Sequence, residues 1–455
     1  MSAASAPSPI SILDTDLYKL TMQQAVLHHF PTVEATYRFT NRDKATLFSR
    51  QSIERFRTAV SQFTDLSLTS DEHEWLRTTC PYFTDSYLAY LAAYRYKPEQ
   101  VRITYVPVSA DGLHGNVEIE VFGPWPETIL WEVPLMAALS ESYFTSANTD
   151  WSYDKQERQF PHSLSFEASP WSRIPMLISI LTESAYDKGR ALLEAGCVFS
   201  EFGTRRRRSY ETQDIVLGAL LRASRDFPAS RGRIGGTSNA HFAHKYGIAP
   251  IGTIAHEWFM GVAALKGYEK TNCVSLDLWE AVFASSALIA LTDTFSTDAF
   301  FKVRAFPASE LIMSLIAMQD FTSDPERMRR WAGLRQDSGD PFTFGPRVKA
   351  MYESMGIDPS QKVIVYSDSL NVEKAIRLQK QAEELGLEKA SFGIGTFLTN
   401  DFRTASSGGT EKSKALNMVI KLASVDQQPC IKISDDLTKV SLELSLRGAI
   451  FGEQG

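Results

Sequence analysis

Four consecutive arginines, Arg205 to Arg208, follow the short apolar run 197–202 and the pair Gly203-Thr204, and they precede a helical stretch at 209–227. On its own such a run reads as a solvated face or a localisation signal. Between a buried strand and a helix start it also meets backbone N–H groups and the positive end of a helix dipole. One or two of the guanidinium forks should then face a phosphate, with the rest exposed. Gly235, Gly236, Thr237, Ser238 and Asn239 end the next apolar run. Glycines there let a ligand approach the backbone, although an ordinary strand-to-helix turn uses the same residues. In "GTIAHEWF" His256 stands beside Glu257 at the head of a helix, and a lone histidine is more often structural than chemical. His241 and His244, at i and i+3, suggest a metal pair but lack a third ligand in the right context. Asp293, then Arg335 with Asp337, then Asp368 close three further runs. One aspartate in a tight turn is ordinary capping; three at successive strand ends converge where carboxylates suit Mg2+ and ribose hydroxyls. Gly393 and Gly395 in "FGIGTFLTND" offer exposed amides for an anion nest.

The elements that must position these groups are seven short apolar runs, at 197–202, 233–236, 249–254, 286–293, 331–337, 362–368 and 390–395. Each ends in Gly, Asp, Ser or Thr, and helical stretches follow several of them. Buried strands alternating with helices mean parallel β/α units, and an α/β barrel closes them with its active site at the C-terminal strand ends. Residues 1–9 read as a frayed tail and 10–165 as an N-terminal α+β domain, with strands at 34–42 and 101–125 and a helix at 127–145. The second of these strand regions carries a hairpin signal at Asp111-Gly112. The barrel spans 166–410, and 411–455 returns to strands that complete either the barrel or the N-terminal domain.

Composition bounds the rest. At 455 residues the chain exceeds a single core. A net charge of −7 argues against a general nucleic-acid binder, so any phosphate binding must be local. No window approaches a membrane span, and the N-terminus has no secretory pattern. Cys80, Cys197, Cys273 and Cys430 are scattered singly, as reduced thiols in a reducing compartment would be. No Walker A pattern occurs. The residues alone lead to a barrel whose mouth binds a phosphorylated sugar with magnesium.

Several strings together resemble the nicotinate phosphoribosyltransferase family, especially its fungal-type members: "DTDLYKLTMQQAV" (14–26), "YRFTNR" (37–42), "EFGTRRR" (201–207), "GGTSNAHFAHKYGIAPIGTIAHEWFMG" (235–261), "RQDSGDP" (335–341), "VYSDSLN" (365–371) and "FGIGTFLTND" (392–401). The resemblance runs from about residue 10 to the C-terminus, and its long central string is the most specific part. It implies a type II phosphoribosyltransferase: an irregular α/β barrel with an additional N-terminal α+β domain, joining nicotinic acid to phosphoribosyl pyrophosphate in NAD salvage, with Mg2+ and with ATP as co-substrate. It implies head-to-tail homodimers with shared sites, in which Tyr18 crosses the interface and sandwiches the pyridine ring with Phe202. Arg205 and Arg335 would contact phosphates, with Arg206 and Thr204 as further contacts. Asp337 would hold ribose hydroxyls, Asp293 would lie near the sugar or magnesium, and Ser367, Asp368, Gly393, Gly395 and Thr396 would cradle phosphate. His256 matches the family's phosphorylated histidine. Nicotinamide-using relatives place an acidic residue where Asn239 stands, next to Ser238, so a neutral Asn239 fits a negatively charged substrate. Cytosolic residence is implied, with nuclear residence left open.

Other readings are a nicotinamide or quinolinate phosphoribosyltransferase, a phosphosugar-processing barrel, or a catalytically silent barrel that binds a nucleotide. Quinolinate would need additional cations, and a silent barrel would be expected to lack His256 or Asp337.

Overall fold

The computed structural model describes residue 7 and residues 9–151, 178–252, 254–284, 286, 288–301 and 321–436. The expected domain boundary at 165 and the chain after 436 lie outside them. Two sheets organise the molecule. The first is antiparallel and contains β1 (Glu34–Asn41), β2 (Phe48–Ser49), β3 (Val101–Pro107) and β4 (His114–Pro124). β4 alternates buried and exposed residues along its length, which gives the sheet one packed and one outward face. The β3–β4 turn carries the expected Asp111-Gly112, with Gly112 at φ +68.

The second sheet is parallel: β5 (Val198–Glu201), β6 (Arg233–Thr237), β7 (Ile289–Leu291), β8 (Gly333–Gln336), β9 (Val363–Tyr366) and β10 (Lys389–Ile394). Its order is β6-β5-β10-β9-β8-β7. The strands therefore follow one another around a ring in chain order, with β10 returning to β5. No β6–β7 ladder is present among the described residues, so the ring is not a closed barrel of seven strands. The expected third strand, 249–254, makes only an isolated bridge between Thr237 and Pro250. Pro250 has no N–H to give a ladder, and Gly252 adds no side chain to pack.

The chain then leaves the ring through the short pair β11 (Phe402–Arg403) and β12 (Lys412–Ser413). β13 (Met418–Val425) and β14 (Gln428–Pro429) follow. β13 pairs with β1 from Ala35↔Val425 to Asn41↔Met418, so the C-terminal strands complete the N-terminal sheet. Asp426 and Gln427, at φ 42 and 64, form the two-residue turn to β14. Among the described residues no helix is long and apolar enough to cross a membrane.

The two halves share one core. The helix His256–Lys266 brings Gly261 against the fully buried ring of Trp125. A Cβ on Gly261 would lie 2.2 Å from Trp125 Cη2. Gly261→Ala should therefore destabilise the protein by about 1–3 kcal/mol despite alanine's better helix propensity. Urea unfolding would show this as a lowered midpoint, and an unchanged or raised midpoint would contradict the packing argument.

Candidate functional site

The C-terminal ends of the parallel strands carry a connected polar cluster. β8 ends so that Arg335 and Asp337 face the same side, and Arg335 Nη2 donates to Asp337 Oδ1 at 3.0 Å. Ser367, just past β9, accepts from Arg335 Nε at 2.8 Å and donates to Asp337 Oδ1 at 2.8 Å. His256 opens its helix with Nδ1 3.0 Å from Thr294 Oγ1 and Nε2 3.1 Å from Asp337 Oδ2. Lys432 Nζ reaches the same His256 Nε2 at 2.8 Å. The lysine contact needs a lone pair on Nε2 and the aspartate contact needs a proton there, so protonation is contested at that atom. Burial, and then the Lys432 ammonium, push His256 below the ordinary histidine range against the pull of Asp293 and Asp337. Burial alone would raise Asp337, but Arg335, His256 and Lys432 hold its carboxyl well below the usual range.

Asp293 is fully buried beyond β7. Its Oδ2 accepts from Ser338 Oγ, and Oδ1 has no hydrogen-bond partner among the described residues. Both oxygens of Asp337 are engaged, which leaves Asp293 as the carboxylate with an uncommitted oxygen. Among the described residues no group of three or more His, Cys, Asp or Glu is arranged to hold a metal ion. His241 and His244 do not act as a pair: His241 contacts Tyr210 Oη, and His244 contacts Asp71.

Phe202 follows β5, with its half-buried ring lying on Gly393 of β10. A Cβ on Gly393 would sit 2.4 Å from Phe202 Cε2, so glycine alone lets the ring lie flat there. Gly395 and Thr396 are half-buried at the start of the short helix Thr396–Thr399, and Asp368 is half-buried after β9. Tyr18 is also half-buried; the charged groups of its own chain acting on it are Arg205, Glu132, Asp16 and Glu257.

Three expected substrate contacts face inward instead. Thr204 and Asn239 have no exposed surface, and Ser238 is 4% exposed. Asn239 caps the helix Ala240–Tyr246 through Phe242 N and donates to Asp14 and Thr204. Ser238 Oγ donates to Asp16 Oδ1. These residues fasten the segment 14–16 to the ends of β5 and β6 and do not line an opening. The arginine run is not a solvated face either. Arg207 is buried against Asp14, and Arg208 is buried over Phe144 with its centroid distance at 3.8 Å. Arg206 donates to the Met418 carbonyl at the edge of β13. The Arg205 side chain keeps a large exposed part, 42%, while donating to Glu132.

The sequence reading missed three cations. Arg42 follows β1, Lys421 lies on β13 and Lys432 comes from the C-terminal segment. Burial, with Arg42 and Lys432 nearby, pushes Lys421 down to about 8. Burial and the charges of Arg205 and Arg42 bring Arg206 down to about 10. Burial is the larger cause of both shifts, and the neighbouring cations add to it. "YRFTNR" contained Arg42, but nothing local in the sequence ties Lys421 or Lys432 to the strand ends.

Residues 13–140 match the model of the nicotinate phosphoribosyltransferase (NAPRTase) N-terminal domain, and residues 197–447 match that of the NAPRTase family. A nicotinate phosphoribosyltransferase from Methanosarcina mazei is 42% identical over 449 residues, covering 98% of both chains. The nicotinate phosphoribosyltransferase of Saccharomyces cerevisiae is 38% identical, covering 96% of this chain and 92% of its own. A crystal structure from Saccharomyces cerevisiae shares the fold with a TM-score of 0.84 at 36% identity, over 98% of each chain. With both halves matched and the strand-end cluster in place, the chain belongs to the nicotinate phosphoribosyltransferase family of enzymes.

Proposed function

We propose that the chain forms nicotinate mononucleotide and pyrophosphate from nicotinic acid and phosphoribosyl pyrophosphate. The observation that carries this reading is the convergence of Arg335, Asp337, His256 and Lys432 at the ends of parallel strands, in a sheet that also carries the Phe202 ring on Gly393 at its strand ends. The pyridine nitrogen has a lone pair at neutral pH, so it attacks the ribose C1 without a general base. The protein's task is to stabilise positive charge on the ribose and negative charge on the departing pyrophosphate. Asp337, held ionised, faces the ribose, while Arg205, Arg335 and the amides at Gly395 and Thr396 take the phosphates. Phe202 and Tyr18 hold the flat ring. Asp293, whose Oδ1 has no hydrogen-bond partner among the described residues, would be the residue to hold Mg2+, and the ion would supply positive charge to offset that of the phosphates. Preference for the acid is supported by the nicotinate phosphoribosyltransferases that the chain resembles over nearly its whole length, and not by a contact from Asn239.

ATP coupling belongs to the same reading. His256, held neutral by burial and Lys432, accepts the γ-phosphoryl group of ATP on a ring nitrogen, ADP leaves, and water later cleaves the phosphoramidate. The added negative charge beside Asp337 and Lys432 alters how pyrophosphate is held. A homodimer is supported by the outward side of the β3–β4 hairpin, where Val106 and Phe122 on the strands and Val108 and Leu113 in the turn are exposed.

The decisive assay supplies purified protein with nicotinic acid or nicotinamide, phosphoribosyl pyrophosphate and Mg2+, with and without ATP. Product from the acid, accelerated by ATP, is the expected result; product from the amide alone would assign the neighbouring activity. Gly393→Ala should raise KM for nicotinate by roughly tenfold or more, with less effect on phosphoribosyl pyrophosphate, because the new methyl displaces the Phe202 ring. Equal KM values for both proteins would remove Phe202 from the ring site.

His256→Ala should abolish ATP stimulation and leave slow ATP-independent transfer. In the unmodified enzyme, stimulation should fall as pH drops, because protonation fills the lone pair. The midpoint should lie below the ordinary histidine value of about 6.5, since the pKa of His256 is depressed. A midpoint above that value would show that the titrating group is not this histidine.

A further inference from the structure

We infer that Lys19 is a positioning residue that sets Arg205 and His256 together, acting through Glu132 and Glu257. The inference rests on the reading above, in which Arg205 meets phosphate and His256 carries the ATP-dependent step. Lys19 lies in the helix Leu17–His29, and its side chain has no exposed surface. Its Nζ donates to Glu132 Oε2 at 2.6 Å and to Glu257 Oε2. Each carboxylate uses its second oxygen elsewhere. Glu132 Oε1 accepts from Arg205 Nη1 at 3.3 Å. Glu257 Oε1 accepts from Trp125 Nε1 at 3.1 Å and from Tyr37 Oη.

The four charges, two lysine or arginine cations and two glutamates, balance, and one end of the network is the half-exposed Arg205. Burial alone would lower the pKa of Lys19, but the two carboxylates reverse it and keep the ammonium charged. Buried ion networks rarely add stability beyond what apolar packing supplies, so this one calls for a reason other than folding. Its anchor points supply one. The residue before the His256 helix is Ala255, which has no side chain with which to cap it. Glu257, in the first turn, therefore fixes where the helix starts and so where the His256 ring lies. Glu132, at the head of the helix Glu132–Ser146, fixes the angle of Arg205. Lys19 joins the two carboxylates and sits next to Tyr18.

The test separates the two arms. Binding of phosphoribosyl pyrophosphate is measured by calorimetry and ATP stimulation by product formation, with thermal unfolding as a check on each variant. Glu132→Gln should weaken phosphoribosyl pyrophosphate binding about tenfold, the scale of one charge-assisted hydrogen bond, while its ATP stimulation ratio is kept. Glu257→Gln should reduce the stimulation ratio with phosphoribosyl pyrophosphate affinity unchanged, and Lys19→Met should show both losses. If Lys19→Met does not fold, the two glutamine variants still decide. Unchanged affinity in Glu132→Gln, or the same mixed defect in both glutamine variants, overturns the inference. Arg205→Ala and His256→Ala are the controls: if they leave affinity and stimulation intact, the site reading fails and the inference falls with it.

Discussion

The pairing of β13 with β1 is the constraint on which the site depends. It ties the last described stretch of chain to one of the first strands, and its consequences reach the parallel sheet. The same register places the Met418 carbonyl where Arg206 donates to it. Past β14 the chain crosses the strand ends, where Ile433 and Ser434 N–H groups donate to the Thr294 carbonyl. Asp435 then caps the helix Thr297–Phe300 through Thr297. Lys432 is delivered to His256 by this crossing, and no local preference of the sequence could have put it there. The ladder's energy is thus also the energy that holds a cation against the imidazole.

Electrostatics gives the assembled site its character. Carboxylates lie along the bottom, with Asp293 fully buried and Asp337 enclosed by Arg335, Ser367 and His256. Cations lie along the edges contributed by the antiparallel sheet and by the loop after β5. Lys421 and Arg206 have pKa values lowered by burial and by like charges, so in the protein alone these cations are held against their preference. An anionic substrate is the simplest way to relieve that repulsion, because each phosphate oxygen gains where two ammonium or guanidinium groups would otherwise oppose each other.

Much of this was legible in the sequence because strand ends announce themselves. A buried apolar run followed by glycine or aspartate and then a helix leaves few topologies, and that pattern picks out Asp293, Asp337, Asp368 and Gly393, while Ser367 comes only from the family resemblance. The pattern failed where the same residue types do a different job. Thr204, Ser238 and Asn239 have the hydroxyls and amide of a ligand site, yet they spend them on helix capping and on Asp14 and Asp16. Which use wins depends on the segment 14–16 lying over them, a contact that for Ser238 and Asn239 spans more than two hundred residues. The run 249–254 departs from the pattern for a local reason: Pro250 interrupts the donors a parallel ladder needs.

The four arginines show how little a charge run says by itself. Neighbouring residues at Arg205 to Arg208 point in different directions as the chain turns through the short helix Thr204–Arg206. One ends at Glu132 near the mouth, one at a strand carbonyl, one in a buried ion pair and one among aromatic rings. Arg207 and Arg208 attach the loop to the N-terminal domain and to the β11–β12 pair. A loop anchored on both sides can hold Arg205 at a fixed angle although much of that side chain faces solvent. The buried members of the run therefore hold the loop in place, and a sequence motif that looks like four equivalent charges is four side chains with four different partners.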